Sequence, residues 1–185
     1  MNSDKKIRKL TFEEIQQSRP GIKVISQTPT MPVSVILDDI RSLHNVGAIF
    51  RTADAVHLEK LFLCGISGIP PRNEIRKTSL GAEESVPWEY VQDAAQVIND
   101  LRSKGYQIVA LEHTTASIDY RRAKYRFPLC LIVGHEFKGV DDRLVAMADS
   151  AVEIPMHGIK QSLNVSVAFG VAVYEILSKW EQTKS

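Results

Sequence analysis

The sequence predicts an α/β fold, a parallel sheet covered by helices on both faces, on three observations. Apolar strand-like runs alternate with helical ones from Val33 onward. Several of those runs, LFLC and LCLIV among them, are apolar throughout, as strands buried on both faces are. The closing helix is apolar nearly all round, so more than one side of it must be covered. At 185 residues the chain is the size of one domain and long enough to bury a substantial core.

The elements follow in order. Thr11-Phe12-Glu13-Glu14 fits a capping box and predicts a short helix over residues 11 to 18, stopped by Pro20-Gly21. The turn-rich SQTPTMP then separates an N-terminal extension, residues 1–32, from the main domain, residues 33–185. VSVIL reads as the first strand, a helix starts after Asn45, and KLFLC is the second strand. Residues 66 to 90 read as a long connection, broken by Pro70-Pro71, Gly81 and Pro87, with a short helix from Glu74 to Ser79; long connections are often functional. Asp93 suits an N-cap and Gly105 a C-terminal stop for the helix between them. YQIVAL, LCLIV and AVEI read as strands, with DDRLVAMA between the last two. The final helix opens on Ser162, Leu163 and Asn164. Its apolar girth suits either a central helix of the monomer or a two-fold interface with a second copy, and the dimer is the expectation.

Composition excludes more than it identifies. Charged residues make up 24% and the net charge is +1, so any nucleic-acid binding must rest on local patches. Cys64 and Cys130 end or interrupt apolar runs and are expected as free, buried thiols. The five histidines show no ligand spacing, so no metal is expected. No apolar run approaches the ~18 residues of a membrane span, which points to the cytoplasm and to no membrane partner.

Three segments carry candidate chemistry. In HNVGAIFRTADAV, Asn45 suits an N-cap, Gly47 allows a close backbone approach, and Arg51 offers a guanidinium fork for phosphate. Arg51 could equally pair with Asp54. In LIVGHEFKGV a strand runs into Gly134 and Glu136, at the carboxyl end where ligands of α/β proteins bind; a plain surface turn is the competing reading. In IPMHGIKQSLNVSVAFGV, Ile154 and Met156 offer apolar contact, Gly158 a tight loop, and Ser162 and Asn164 short hydrogen-bonding side chains.

Taken in this order, the three segments resemble the signature motifs of the SpoU/TrmH family of RNA ribose methyltransferases, part of the SPOUT superfamily, and the match covers residues 33 to 180. The resemblance implies a SPOUT (alpha/beta knot) fold with a C-terminal deep trefoil knot, a homodimer, and S-adenosyl-L-methionine as methyl donor to a ribose 2′-hydroxyl of structured RNA. It also implies roles: Arg51, Asn45, Glu136, Ser162 and Asn164 catalytic, and Leu111, Gly134, Ile154, Met156 and Leu163 against the cofactor. His135 and Phe137 are bulkier than the small residues that often flank this glutamate in the family.

RNA contact is expected from Arg51, from Arg121, Arg122 and Lys124 interleaved with Tyr120 and Tyr125, and from Arg72 and Arg76 with Lys77; Lys5, Lys6, Arg8 and Lys9 form a third patch. Size tips the expected substrate toward tRNA, with rRNA open. Two alternatives stand beside this reading: a catalytically silent SPOUT-like RNA-binding dimer, and a nucleotide-dependent α/β protein of another kind. The second lacks both GxGxxG and a phosphate-loop lysine.

Overall fold

The computed structural model describes residues 7–25 and 27–184; the expected basic groups Lys5 and Lys6 lie outside them. Two short helices, α1 (Phe12–Gln17) and α2 (Ile22–Ile25), precede the sheet. Both halves of the capping box form in α1: Thr11 Oγ1 accepts from the Glu14 N–H, and the Glu14 carboxylate accepts from the Thr11 N–H. The helix buries none of its residues.

Seven strands, β1 (Met31–Asp38), β2 (Leu58–Cys64), β3 (Trp88–Val91), β4 (Gln107–Leu111), β5 (Ile118–Asp119), β6 (Leu129–Val133) and β7 (Ser150–Glu153), make one sheet. Their spatial order is β3-β2-β1-β6-β4-β7-β5, and each pairing is parallel. The chain runs outward from β1 to β2 and β3, returns to β4 beyond β1, and then fills the gap between β1 and β4 with β6. Strand order thus reverses beside β1 and β6, where the crevice at the carboxyl ends of the strands opens.

Helices α3 (Leu43–Ala55), α4 (Asn73–Ser79), α5 (Ala82–Ser85) and α8 (Val165–Gln182) cover one face; α6 (Ala94–Ser103) and α7 (Asp142–Met147) cover the other. Strand residues divide between these layers with period two. Val35, Leu61 and Leu131 join the core under α3 and α8, whereas Ile36, Phe62 and Ile132 face α6 and α7. Cys64 and Cys130 are free and buried in the second layer, and burial pushes both thiols up, Cys64 to about 12. On α8, Phe169, Ala172, Val173 and Ile176 are buried, while Val167 and Tyr174 are half exposed.

Several expected boundaries move. The connection over residues 66 to 90 holds α4, α5 and the edge strand β3, because Ile75, Ala82 and Val86 are apolar anchors spaced closely enough to pin it to the core. The two-residue β5 is likewise an addition. The first helix starts at Leu43 with Ser42 as its N-cap, whose Oγ accepts from the Asn45 N–H at 3.3 Å, so Asn45 lies one turn inside instead of capping. The last helix starts at Val165, capped by Asn164, and Ser162 and Leu163 belong to the loop before it. Among the described residues no helix is long and apolar enough to cross a membrane.

Gly47 shows how tightly the first motif is built. A Cβ there would run into the Ile75 carbonyl and Thr78 Oγ1 of α4, so the close approach that the glycine permits is helix on helix. Replacing Gly47 by Ala is expected to cost about 1–3 kcal/mol in denaturant unfolding. Gly158→Ala, whose Cβ would meet nothing within 4 Å at ordinary φ, should fall within about 0.5 kcal/mol of the parent.

Candidate active site

The carboxyl ends of β4, β6 and β7 meet the loop before α8 around an open cavity of about 220 Å³. Its apolar walls are Leu111, Val133, Ile154, Met156, Leu163 and Ala168, and its polar groups include the carboxylates of Glu112, Glu136 and Glu153. All five residues expected against the cofactor, Leu111, Gly134, Ile154, Met156 and Leu163, border this space, as do Glu136 and Ser162.

Folding of the approach to α3 sets the site. After β1, Asp39 takes a left-handed conformation (φ 56°) and its carboxylate accepts from the Ile66 N–H at 2.9 Å. Ser67 then accepts from the Ile40 N–H at 2.8 Å and donates to the Leu37 carbonyl at 2.9 Å. Residues 40–42 are therefore held, and the N–H groups of Arg41 and Ser42, just before α3, point at the loop after β6.

Glu136 occupies that point. Its carboxylate accepts from the Ser42 N–H at 2.9 Å, the Arg41 N–H at 3.2 Å and Asn45 Nδ2 at 2.8 Å. Asn45 Oδ1 in turn accepts from Asn164 Nδ2 at 3.1 Å, and Asn164 Oδ1 takes the Ser166 N–H at 2.9 Å and its hydroxyl at 2.7 Å. One hydrogen-bonded chain thus joins all three motifs. Partial burial would raise the Glu136 pKa, but the donors around it, with the partly positive end of α3, outweigh burial and hold it below the usual carboxylate range.

The glycines of the second motif serve the loop itself. A Cβ on Gly134 would strike the backbone of Gly139 and Val140, and one on Gly139 (φ 72°) would strike Glu112. These glycines let the loop fold back on the end of β6. Glu112 locks the fold-back, accepting from the Val140 N–H at 2.8 Å and the His113 N–H at 2.8 Å. Glu153 accepts from the Ser117 hydroxyl at 2.6 Å, with His113 Nδ1 at 3.2 Å, and these partners hold its carboxyl low. Sequence reading missed Glu112 and Glu153; a carboxylate immediately after, or ending, a parallel strand was the available signal.

Other expected residues separate from this centre. Arg51 is exposed on α3, has no hydrogen-bond or ion-pair partner among the described residues, and does not line the cavity; Asp54 instead accepts from the Ser85 hydroxyl. Arg121 is clamped by Asp119, with Nη2–Oδ2 at 2.6 Å and Nε–Oδ1 at 3.0 Å, so its charge is already neutralised. Tyr120 and Tyr125 pack against the core, and the Tyr125 hydroxyl donates to the Tyr120 carbonyl at 2.8 Å, which removes them as stacking surfaces. Arg122 and Lys124 remain exposed without ion pairs among the described residues, and so does Arg72; Arg76 sits 3.9 Å from Glu84. No cluster of potential metal ligands occurs among the described residues.

Residues 32–174 match the SpoU rRNA Methylase family. A tRNA (guanosine(18)-2′-O)-methyltransferase of Aquifex aeolicus is 36% identical over 148 residues, 80% of this chain and 70% of that protein. The enzyme of the same name from Thermus thermophilus is 33% identical over 88% of this chain and 83% of its own length. The Escherichia coli enzyme of that name is also 33% identical, and this chain spans 62% of it. Among solved structures, the A. aeolicus TrmH/SpoU tRNA modifying enzyme superposes with a TM-score of 0.80 at 32% identity, covering 88% of this chain and 82% of that one. An AdoMet-bound rRNA methyltransferase from Sinorhizobium meliloti gives 0.75 at 30% identity, covering 80% and 56%. With a match across most of its length, and the three motifs joined at one site, the chain belongs to the SpoU methylase family.

Proposed function

We propose that this protein transfers a methyl group from S-adenosylmethionine to a ribose 2′-hydroxyl of RNA, with tRNA as the favoured substrate class. The observation that carries the reading is the Glu136–Asn45–Asn164 chain of hydrogen bonds, closing three distant segments around the cavity that holds all five expected cofactor residues. The names of the relatives support tRNA in particular.

The cavity suits the cofactor chemically. Its apolar walls fit an adenine face, and three carboxylates favour a ligand bearing a sulfonium and an ammonium. When bound, the cofactor supplies an activated methyl group and no metal is required. The protein then has to hold the acceptor in line and accommodate the charge that develops as the hydroxyl loses its proton. Glu136, Asn45 and Asn164 fix the loop edges that shape the acceptor side, and Ser162 presents at the cavity wall a hydroxyl with no hydrogen-bond partner among the described residues. A guanidinium stays cationic, so Arg51 is assigned to gripping ribose and phosphate and to stabilising the developing alkoxide. Its position outside the cofactor walls fits that acceptor-side task.

The same reading includes a homodimer through the exposed side of α8, bearing Val167 and Tyr174, and a C-terminal trefoil knot. The return of Ser162 and Leu163, after β7, to the loop after β6 supports the knot. Residues 1–32 are assigned as an extension to the 33–185 domain, and the protein as cytoplasmic. The catalytically silent alternative gains no support, since Arg51, Asn45, Glu136, Ser162 and Asn164 are all present in a family of methylases.

Calorimetric binding of S-adenosylmethionine, together with mapping of ribose methylation in RNA from cells with and without the protein, tests the assignment; no binding, or an unchanged map, contradicts it. Arg51→Lys is expected to bind the cofactor like the parent and to lose at least about a hundred-fold in transfer, the scale of one lost oxyanion donor. Glu136, with its folded pKa below the ordinary 4.5, contributes stability above that value, and the contribution disappears as pH falls through the folded pKa. Glu136→Gln should therefore show a smaller drop in melting temperature than the parent between about pH 6 and about pH 3. Neutralising Arg122 and Lys124 together should flatten the salt dependence of RNA binding by roughly one to two in slope, while Arg121→Gln changes it little.

A further inference from the structure

One feature of the site has no part in the mechanism above: Phe137, between Glu136 and Lys138, is 91% exposed. An exposed phenyl on a wandering loop would mean little. This loop, however, is fastened on both sides. Glu136 is held by its three donors from the start of α3, the Gly139 N–H donates to the His135 carbonyl at 2.8 Å, and the Val140 N–H donates to Glu112 at 2.8 Å. The Phe137 N–H itself donates to His135 Nδ1 at 3.0 Å. The fold therefore holds an apolar aromatic face out in water at the lip of the cavity.

Its neighbours carry unpaired positive charge. Lys138 follows it, and the backbone N–H of Arg41 binds the carboxylate of Glu136, the residue before it, at 3.2 Å. Both side chains are exposed and have no hydrogen bond or ion pair among the described residues. Lys138 also lines, with His135, a depression whose other side chains include Asp38, Asp39, Asp141 and Asp142; these carboxylates would repel a phosphate backbone and so bound the surface on that side. An aromatic face flanked by free cations is the combination that single-stranded or flipped-out nucleotides use: the ring stacks on a base, and the cations take the adjoining phosphates.

Resting on the methyltransfer reading above, we infer that Phe137 is a stacking platform for an unpaired base at or next to the target nucleotide, with Arg41 and Lys138 on the flanking phosphates. The sequence requirement it imposes is weak, because every base has a π-face; it selects for unstacked RNA over helical RNA.

The test compares Phe137→Ala, Phe137→Leu and Phe137→Trp in the full chain, using pooled unmodified tRNA transcripts. The readouts are the KM for RNA, kcat, calorimetric affinity for S-adenosylmethionine and association state. Phe137→Ala and Phe137→Leu should raise the KM for RNA about ten-fold, Phe137→Trp should stay near the parent, and cofactor affinity should hold in all three. A leucine variant that performs like the tryptophan one, an alanine variant equal to the parent, or a change in association state that accompanies the loss would overturn the platform, the last by showing that the ring packs on a second copy. In those cases a parent that methylates the transcripts leaves the methyltransfer assignment standing. A parent that binds the cofactor but methylates no RNA ribose sinks the assignment and the platform together.

Discussion

Three stretches of chain separated by 91 and 119 residues in sequence meet through two side-chain hydrogen bonds, Asn45 to Glu136 and Asn164 to Asn45. The carboxamide of Asn45 suits this junction because it donates with one atom and accepts with the other, a pairing neither a carboxylate nor an ammonium could make. Asn45 lies in the first turn of α3, and its two partners lie on the loop after β6 and at the N-cap of α8. Each of those segments carries backbone groups with no partner of their own element, so the junction satisfies the helix ends while it assembles the cavity.

Electrostatics runs through the same point. Glu136 keeps its negative charge because the Arg41 and Ser42 N–H groups at the entry to α3 are aimed at it, and they are aimed there because Asp39 and Ser67 hold the turn after β1. Glu112 performs the parallel task on the far side of the loop, through the Val140 N–H. The loop is thereby gripped from β1 and from β4, the two strands flanking β6. Rigidity of this kind suits a transfer reaction whose demand is alignment, since a displacement of about 1 Å between donor and acceptor can cost a hundred-fold.

Charge on the surface divides differently from charge in the sequence. The run from Tyr120 to Arg126 looks like the strongest RNA patch when read linearly, yet Asp119 takes Arg121 and the core takes both tyrosines. Arg41, Phe137 and Lys138 attract no notice as a linear pattern because Arg41 lies far from the others along the chain, and the contact of its N–H with the Glu136 carboxylate ties the two segments together. Local composition cannot reveal whether a cation already has a partner, and that decides whether it is free for phosphate.

What the sequence by itself determined is the class of the fold, most of the elements and several of the residues that border the cavity. Buried strands and their helices announce themselves through apolar runs and caps such as Thr11, Asp93 and Gly105, which act over a few residues. The five residues expected against the cofactor, which border the cavity, were named through resemblance to a family whose motifs are short and contiguous. Only the tertiary structure decided that β6 enters between β1 and β4, that Ser42 and not Asn45 caps α3, and that the motif glycines admit Ile75, Thr78, Gly139 and Val140 instead of a ligand alone. Those outcomes depend on long-range contacts, where the partner of each group comes from another part of the chain, and no local pattern encodes such a partner.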